Sequence, residues 1–136
     1  MKRAWLILIL GGTSYTNPCL ASISAADAAD AIVGEAAGQP YLVKLGIAEA
    51  VHNRGTLKGV YGFHAAHNAT EPAWVWRDAR RAWTQSAGTI GRPDSGIVHG
   101  ATHFGNSSDV QKGTFAGMKL TAILGTGNDA TYFYKK

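Results

Sequence analysis

Cysteine is nearly absent: Cys19 is the single one among 136 residues. It falls within an amino-terminal stretch that reads as an export signal, so the exported chain would hold no thiol and no disulfide. Such a fold rests on its hydrophobic core alone, and cores of this size are only moderately stable. Long apolar runs are lacking too, since the run at residues 5–10 is too short to cross a membrane as a stable helix. Charged residues make up only 16% and the formal net charge is +4. Lys2 and Arg3 supply two of those four charges, which leaves +2 beyond the signal. The basic residues are scattered and form no stripe interleaved with aromatics, so no nucleic-acid partner is expected. The sequence has no repeat, low-complexity tract or second binding module.

What is present has a clear order. Lys2 and Arg3, the apolar run and the small residue Ala21 follow the pattern of a signal peptide over residues 1–21. A retained amphipathic anchor is the bland alternative. A lipid-anchored Cys19 is disfavoured by the preceding Thr16-Asn17-Pro18. Residues 22–136 suffice for one domain.

Ser24 with Asp27 three residues on predicts a capped helix, running to Ala37 with Gly38 as a left-handed stop. Pro40 suits the first turn of a second helix. Val43, Ile47 and Val51 give it a buried side at four-residue spacing, Glu49 faces outward, and Gly55 ends it. Residues 56–72 read as loop, broken by Gly59, Gly62, Asn68 and Pro72. A third helix is predicted over Ala73–Ser86 with Trp76, Ala79 and Trp83 toward the core. Residues 88–96 form another loop, 98–104 and 131–134 extended segments, and 115–124 a fourth helix closed by Gly125. Helices early and short extended segments late imply an α+β, mainly helical fold.

Glu35 is the residue with the most chemistry to offer. It shares a helix side with Ile32, and Ala28 extends that side as an apolar face. Burying the face carries Glu35 inward, where lost hydration and the negative end of the helix dipole would both raise its pKa. A carboxyl kept protonated near neutral pH can protonate a glycosidic leaving group. A solvated glutamate at a helix end is the commoner role for such a residue.

Ile32-Val33-Gly34-Glu35-Ala36 is followed by Gln39-Pro40, by Asn53-Arg54, by Gly100-Ala101-Thr102-His103-Phe104, and by Thr121, Gly125 and Phe133-Tyr134-Lys135. In this order the segments resemble the catalytic domain of the SleB-type cell wall hydrolases, related to spore-cortex-lytic enzymes. The resemblance implies a lysozyme-like fold and cleavage of peptidoglycan between N-acetylmuramic acid and N-acetylglucosamine. It implies lytic transglycosylase chemistry with Glu35 as acid and then base, the muramyl 6-hydroxyl as attacking group, and no cofactor. Thr102 and His103 would lie near the cleft, and Asn53 and Arg54 would support Glu35 or the glycan, or merely end their helix. The chain departs from the pattern in residues 55–96, in lacking tryptophan between Phe104 and Phe115, and at Asn128-Asp129-Ala130-Thr131.

Further residues complete the candidate set. Trp74, at a helix start, is a candidate for stacking on a sugar ring, whereas Trp76 and Trp83 are assigned to the core. Tyr132 and Tyr134 share a strand face and either line the cleft or pack the strand. Asp78, amid Arg77, Arg80 and Arg81, suits helix-surface ion pairs, and Asp94 and Asp109 suit turns. Any of the three facing Glu35 would permit hydrolysis by water. His64/His67 and His99/His103 have ligand-like spacings, but no His-Glu-x-x-His, cysteine partner or third ligand accompanies them, so no metal is expected. The expectation is an exported peptidoglycan-cleaving enzyme of the periplasm or of the extracellular space and cell wall, with room for an unidentified partner to deliver it. The alternatives are a muramidase, a non-catalytic glycan-binding protein of the same fold, and a small zinc domain.

Overall fold

The computed structural model describes residues 22–136, so the predicted signal and Cys19 lie outside the described residues. The Ser24 hydroxyl accepts the Asp27 amide at 3.0 Å and starts α1, Ala25–Ala36. Ala28, Ala29, Ala31, Ile32, Val33 and Ala36 form its buried side. The left-handed stop expected at Gly38 is absent. Ala37 stays right-handed, and Gly38 is not among the glycines of positive φ. Lys44 serves the helix end instead. Its buried side chain reaches back and donates to the carbonyls of Ala37, the C-cap of α1, and of Gln39 in the link beyond it, satisfying acceptors that the helix leaves open. The cation also meets the negative end of the α1 dipole. Burial lowers the Lys44 pKa from its ordinary value, against the charges of Asp78 and Glu71.

Helix α2, Tyr41–Arg54, ends at left-handed Gly55, whose amide donates to the Val51 carbonyl at 2.9 Å. It is the central element, packed on α1, on α3 (Ala73–Ser86) and on the sheet. Val43, Ile47 and Val51 are buried, as their spacing predicts, but so are Leu45, Gly46, Ala48, Ala50 and Glu49. Glu49 was expected outward and is only 4% exposed. The two-sided packing of α2 leaves that face no solvent, and Glu49 Oε2 accepts the Val98 amide at 3.2 Å. Gly46 lets the sheet approach: a Cβ there would sit 2.6 Å from Leu124 and 2.9 Å from Phe133. Helix α3 buries Val75, Ala79, Ala82 and Ser86. Trp76 and Trp83 are half-buried against the core, and Trp83 stacks on His52 with ring centroids 3.5 Å apart.

The sheet is antiparallel in the order β1-β3-β2, from β1 (His103–Gly105), β2 (Lys119–Leu124) and β3 (Thr131–Lys135). Central β3 carries the fully buried Phe133. The helix expected at 115–124 is not formed. Gly113 and Gly117 adopt φ of 73° and 77°, and β2 then pairs along β3 with an irregularity between Leu120 and Ala122. The extended segment expected at 98–104 is shortened, because His99 and Gly100 turn the chain at positive φ. Between β1 and β2 a five-residue helix α4, Ser107–Gln111, is set by a capping box. The loop at 56–72 contains a 3-10 turn, Ala66–Thr70. The result is a small single-domain α+β fold dominated by helices, as the order of segments predicts. Among the described residues no helix is long and apolar enough to cross a membrane.

Candidate active site

Glu35 lies in the last turn of α1, where Gly34 permits an unusually close packing. A Cβ on Gly34 would fall on the Gly62 carbonyl, and one on Gly62 would fall on the Glu35 amide. With no side chain on either, the two main chains touch, and the Gly62 amide donates to Glu35 Oε1 at 2.6 Å. Asn68, itself buried, fixes the next peptide through the Gly62 carbonyl. Its amide nitrogen donates to the Gly62 carbonyl at 3.1 Å and to the Asp30 carbonyl and carboxylate at 3.0 and 3.1 Å. Asp30 Oδ2 also accepts the amide of His64 at 2.6 Å, a residue held at φ 61°. The acid is thus seated by a knot of loop and helix.

The Glu35 carboxyl is half-buried in the wall of a cleft of about 480 Å³. Desolvation raises its pKa above the ordinary 4.5 and the negative charge of Asp109 adds to this, while the amides of Gly62 and Tyr61 pull it down. Gln39, in the link between α1 and α2, also lines the cleft. Arg54 enters from the end of α2 and donates to the Lys58 carbonyl, steadying the loop that carries Gly59 and Tyr61 to the rim.

The facing wall comes from β1, α4 and the turn before β3. His103 Nδ1 lies 2.9 Å from the Thr102 hydroxyl. Desolvation, then the charges of Arg54 and Lys136, lower the His103 pKa, so the ring is neutral at neutral pH and offers a hydrogen bond rather than a charge. Asp109 accepts the Asn106 amide through Oδ2 at 3.0 Å, while the Asn106 side chain accepts the Asp109 amide. A Cβ on Gly105 would press on Phe115 at 2.7 Å and on Asp109 Oδ2 at 2.8 Å, so this glycine lets both residues close over the strand. Asp129 also lines the cleft.

Of the residues singled out from sequence, the structure brings Glu35, Arg54 and His103 into one cleft. Thr102 stands behind His103 as its hydrogen-bond partner. Asn53 is a support, donating to the Ala101 carbonyl at 2.9 Å. Tyr132 pairs with Gly105 across the sheet and is not among the cleft-lining residues. Trp74 is 48% exposed but elsewhere, its ring centroid 5.6 Å from the Lys44 ammonium. Asp94 lies 3.9 Å from Lys135 in a separate surface pocket that also holds His99, so His99 and His103 open onto different cavities. Asp78 makes no ion pair among the described residues. Among those residues no cluster of three or more histidine, cysteine or acidic side chains forms.

Asp109, from sequence a turn residue and a conceivable partner carboxylate for Glu35, lines the same cleft at the start of α4, where Asn106-x-x-Asp109 is itself a helix-start signature. Tyr61, at the rim, carries no pattern that sets it apart in sequence. Comparison with protein-family models, with curated proteins and with solved structures returned no match.

Proposed function

We propose that the chain is an exported peptidoglycan-cleaving enzyme, a lytic transglycosylase acting on the bond between N-acetylmuramic acid and N-acetylglucosamine. The observation that carries this reading is Glu35: a carboxyl in a cleft wall with its pKa raised mainly by burial. The segments resembling SleB-type hydrolases agree with it, and the lysozyme-like fold and wall localisation belong to the same proposal. Glycan strands are the partner, and the exported chain would act without a membrane span.

The chemistry follows from the seat of the acid. Oε1 is occupied as acceptor by the Gly62 amide, which leaves Oε2 as the oxygen to carry the transferable proton. Oε2 gives that proton to the glycosidic oxygen as the bond to the anomeric carbon breaks, and positive charge develops on the sugar ring. Glu35, now a carboxylate, takes the proton of the muramyl 6-hydroxyl as that oxygen attacks the anomeric carbon. The 1,6-anhydro sugar leaves, the acid is protonated again, and no water is consumed. Neutral His103 and Arg54 are placed to hydrogen-bond the sugar hydroxyls and carbonyls.

Asp109 favours a second reading, hydrolysis. Its Oδ2 is engaged at the start of α4, and Oδ1 has no hydrogen-bond partner among the described residues, leaving it available to a water or an anomeric carbon. Mass spectrometry of peptidoglycan digested by the protein, beside Glu35→Gln, separates the possibilities. Anhydro-muropeptides that fall at least about a hundredfold in the variant are expected. Reducing-end products would replace transglycosylation by hydrolysis. Glycan binding without products from either protein would leave a non-catalytic binding protein.

A further inference from the structure

Tyr61 is 93% exposed, at the rim of the cleft that holds Glu35. An aromatic ring left in water forfeits the burial that makes such side chains useful to a core. Its main chain, by contrast, is tightly fixed. Val60 is buried and its amide donates to the Leu57 carbonyl at 3.0 Å. Phe63 closes a turn onto the Val60 carbonyl at 3.2 Å. Gly62 is held from both sides, by Glu35 and by Asn68. A rigid backbone thus presents a free ring, and rigid presentation reduces the ordering cost of binding. Tyr61 directly precedes the residue whose amide hydrogen-bonds the acid, and it lines the same cleft as Glu35. Trp74, the other well-exposed large aromatic among the described residues, lies over Lys44 outside the cleft.

We propose that the Tyr61 ring is a stacking platform for a pyranose of a β-1,4-linked aminosugar strand, in the subsite next to the bond that Glu35 attacks. The axial C–H groups of such a sugar form an apolar face that matches the ring, while the sugar's equatorial hydroxyls and the tyrosine hydroxyl remain in water. The face is common to both sugars of the strand, so the platform secures position along the glycan and leaves the choice of bond to the cleft. This inference rests on the glycan-cleaving reading above and adds a subsite to it.

The test is calorimetric titration of chitopentaose into Glu35→Gln, with and without Tyr61→Ala or Tyr61→Trp, together with turnover of peptidoglycan by the single Tyr61 variants. Because Tyr61 is exposed, the melting temperature should be unchanged by either substitution. The expected result is about tenfold weaker binding for Tyr61→Ala, near-parental binding for Tyr61→Trp, and a raised KM with kcat little changed. Binding and KM unaltered in Tyr61→Ala would overturn the platform and leave the glycan reading intact. No chitopentaose binding by Glu35→Gln, with no cleavage of peptidoglycan by the parent protein, would overturn both.

Discussion

At Glu35, burial works against two main-chain amides, and burial prevails. The same imbalance ties function to stability. Because the folded pKa lies above the ordinary 4.5, the folded chain holds a proton that the unfolded chain has already lost in the interval between the two values. The contribution is therefore fully present below about pH 4.5 and is lost as pH rises through the folded pKa. Glu35→Gln cannot ionise and keeps an acceptor for Gly62. Its melting temperature relative to the parent should climb from pH 4 to pH 8, as read by thermal denaturation in matched buffers. A difference that stays flat or falls would mean that the carboxyl is not held in its neutral form. The acid was legible from the apolar side of its helix. Its seat was not, because the contact of Gly34 with Gly62 joins positions that only the folded loop brings together.

Among the elements, α2 is the one whose role differs most from its pattern. Its Val43, Ile47 and Val51 spacing marks one buried side, but small residues and Glu49 on the other sides are buried as well. A helix between two layers has no solvent face to reveal it. From this central position two polar side chains one turn apart hold the same segment: Glu49 takes the Val98 amide and Asn53 gives to the Ala101 carbonyl. That segment leads directly into β1 and His103. Glu49→Ala strands the Val98 amide and should cost about 1–3 kcal/mol in urea denaturation, with faster amide exchange at residues 96–102. Glu49→Gln, which keeps an acceptor, should cost less. Equal effects of the two substitutions would show that the hydrogen bond is not what holds the segment. Helices α1 and α3 were legible through Ser24 and the breaks around Ala73–Ser86. Strand β2 was not, since a short apolar run suits helix and strand equally, and the deciding partner, β3, lies beyond it in the chain.

Across the whole molecule, a helical layer supplies the acid, and the sheet with α4 supplies the facing wall, so the cleft exists only once both parts have assembled. The fold class was legible because helices and extended segments are segregated along the chain. The cleft's far wall was not, since it is built from the short α4, the turn at 127–130 and single residues such as Asp109, whose place depends on long-range strand pairing.

Lys44 turns this architecture into a clock. Its amine is deprotonated more readily than an ordinary lysine's because of burial, which would favour reaction with an acylating reagent if it were within reach. Enclosed between the end of α1 and the ring of Trp74, it is instead expected to react at least about a thousandfold more slowly than the surface lysines, at a rate set by the opening of the helical hairpin. Peptide mapping after timed acylation would then read that opening directly from one side chain. Early labelling of Lys44 would show that the hairpin is open under native conditions.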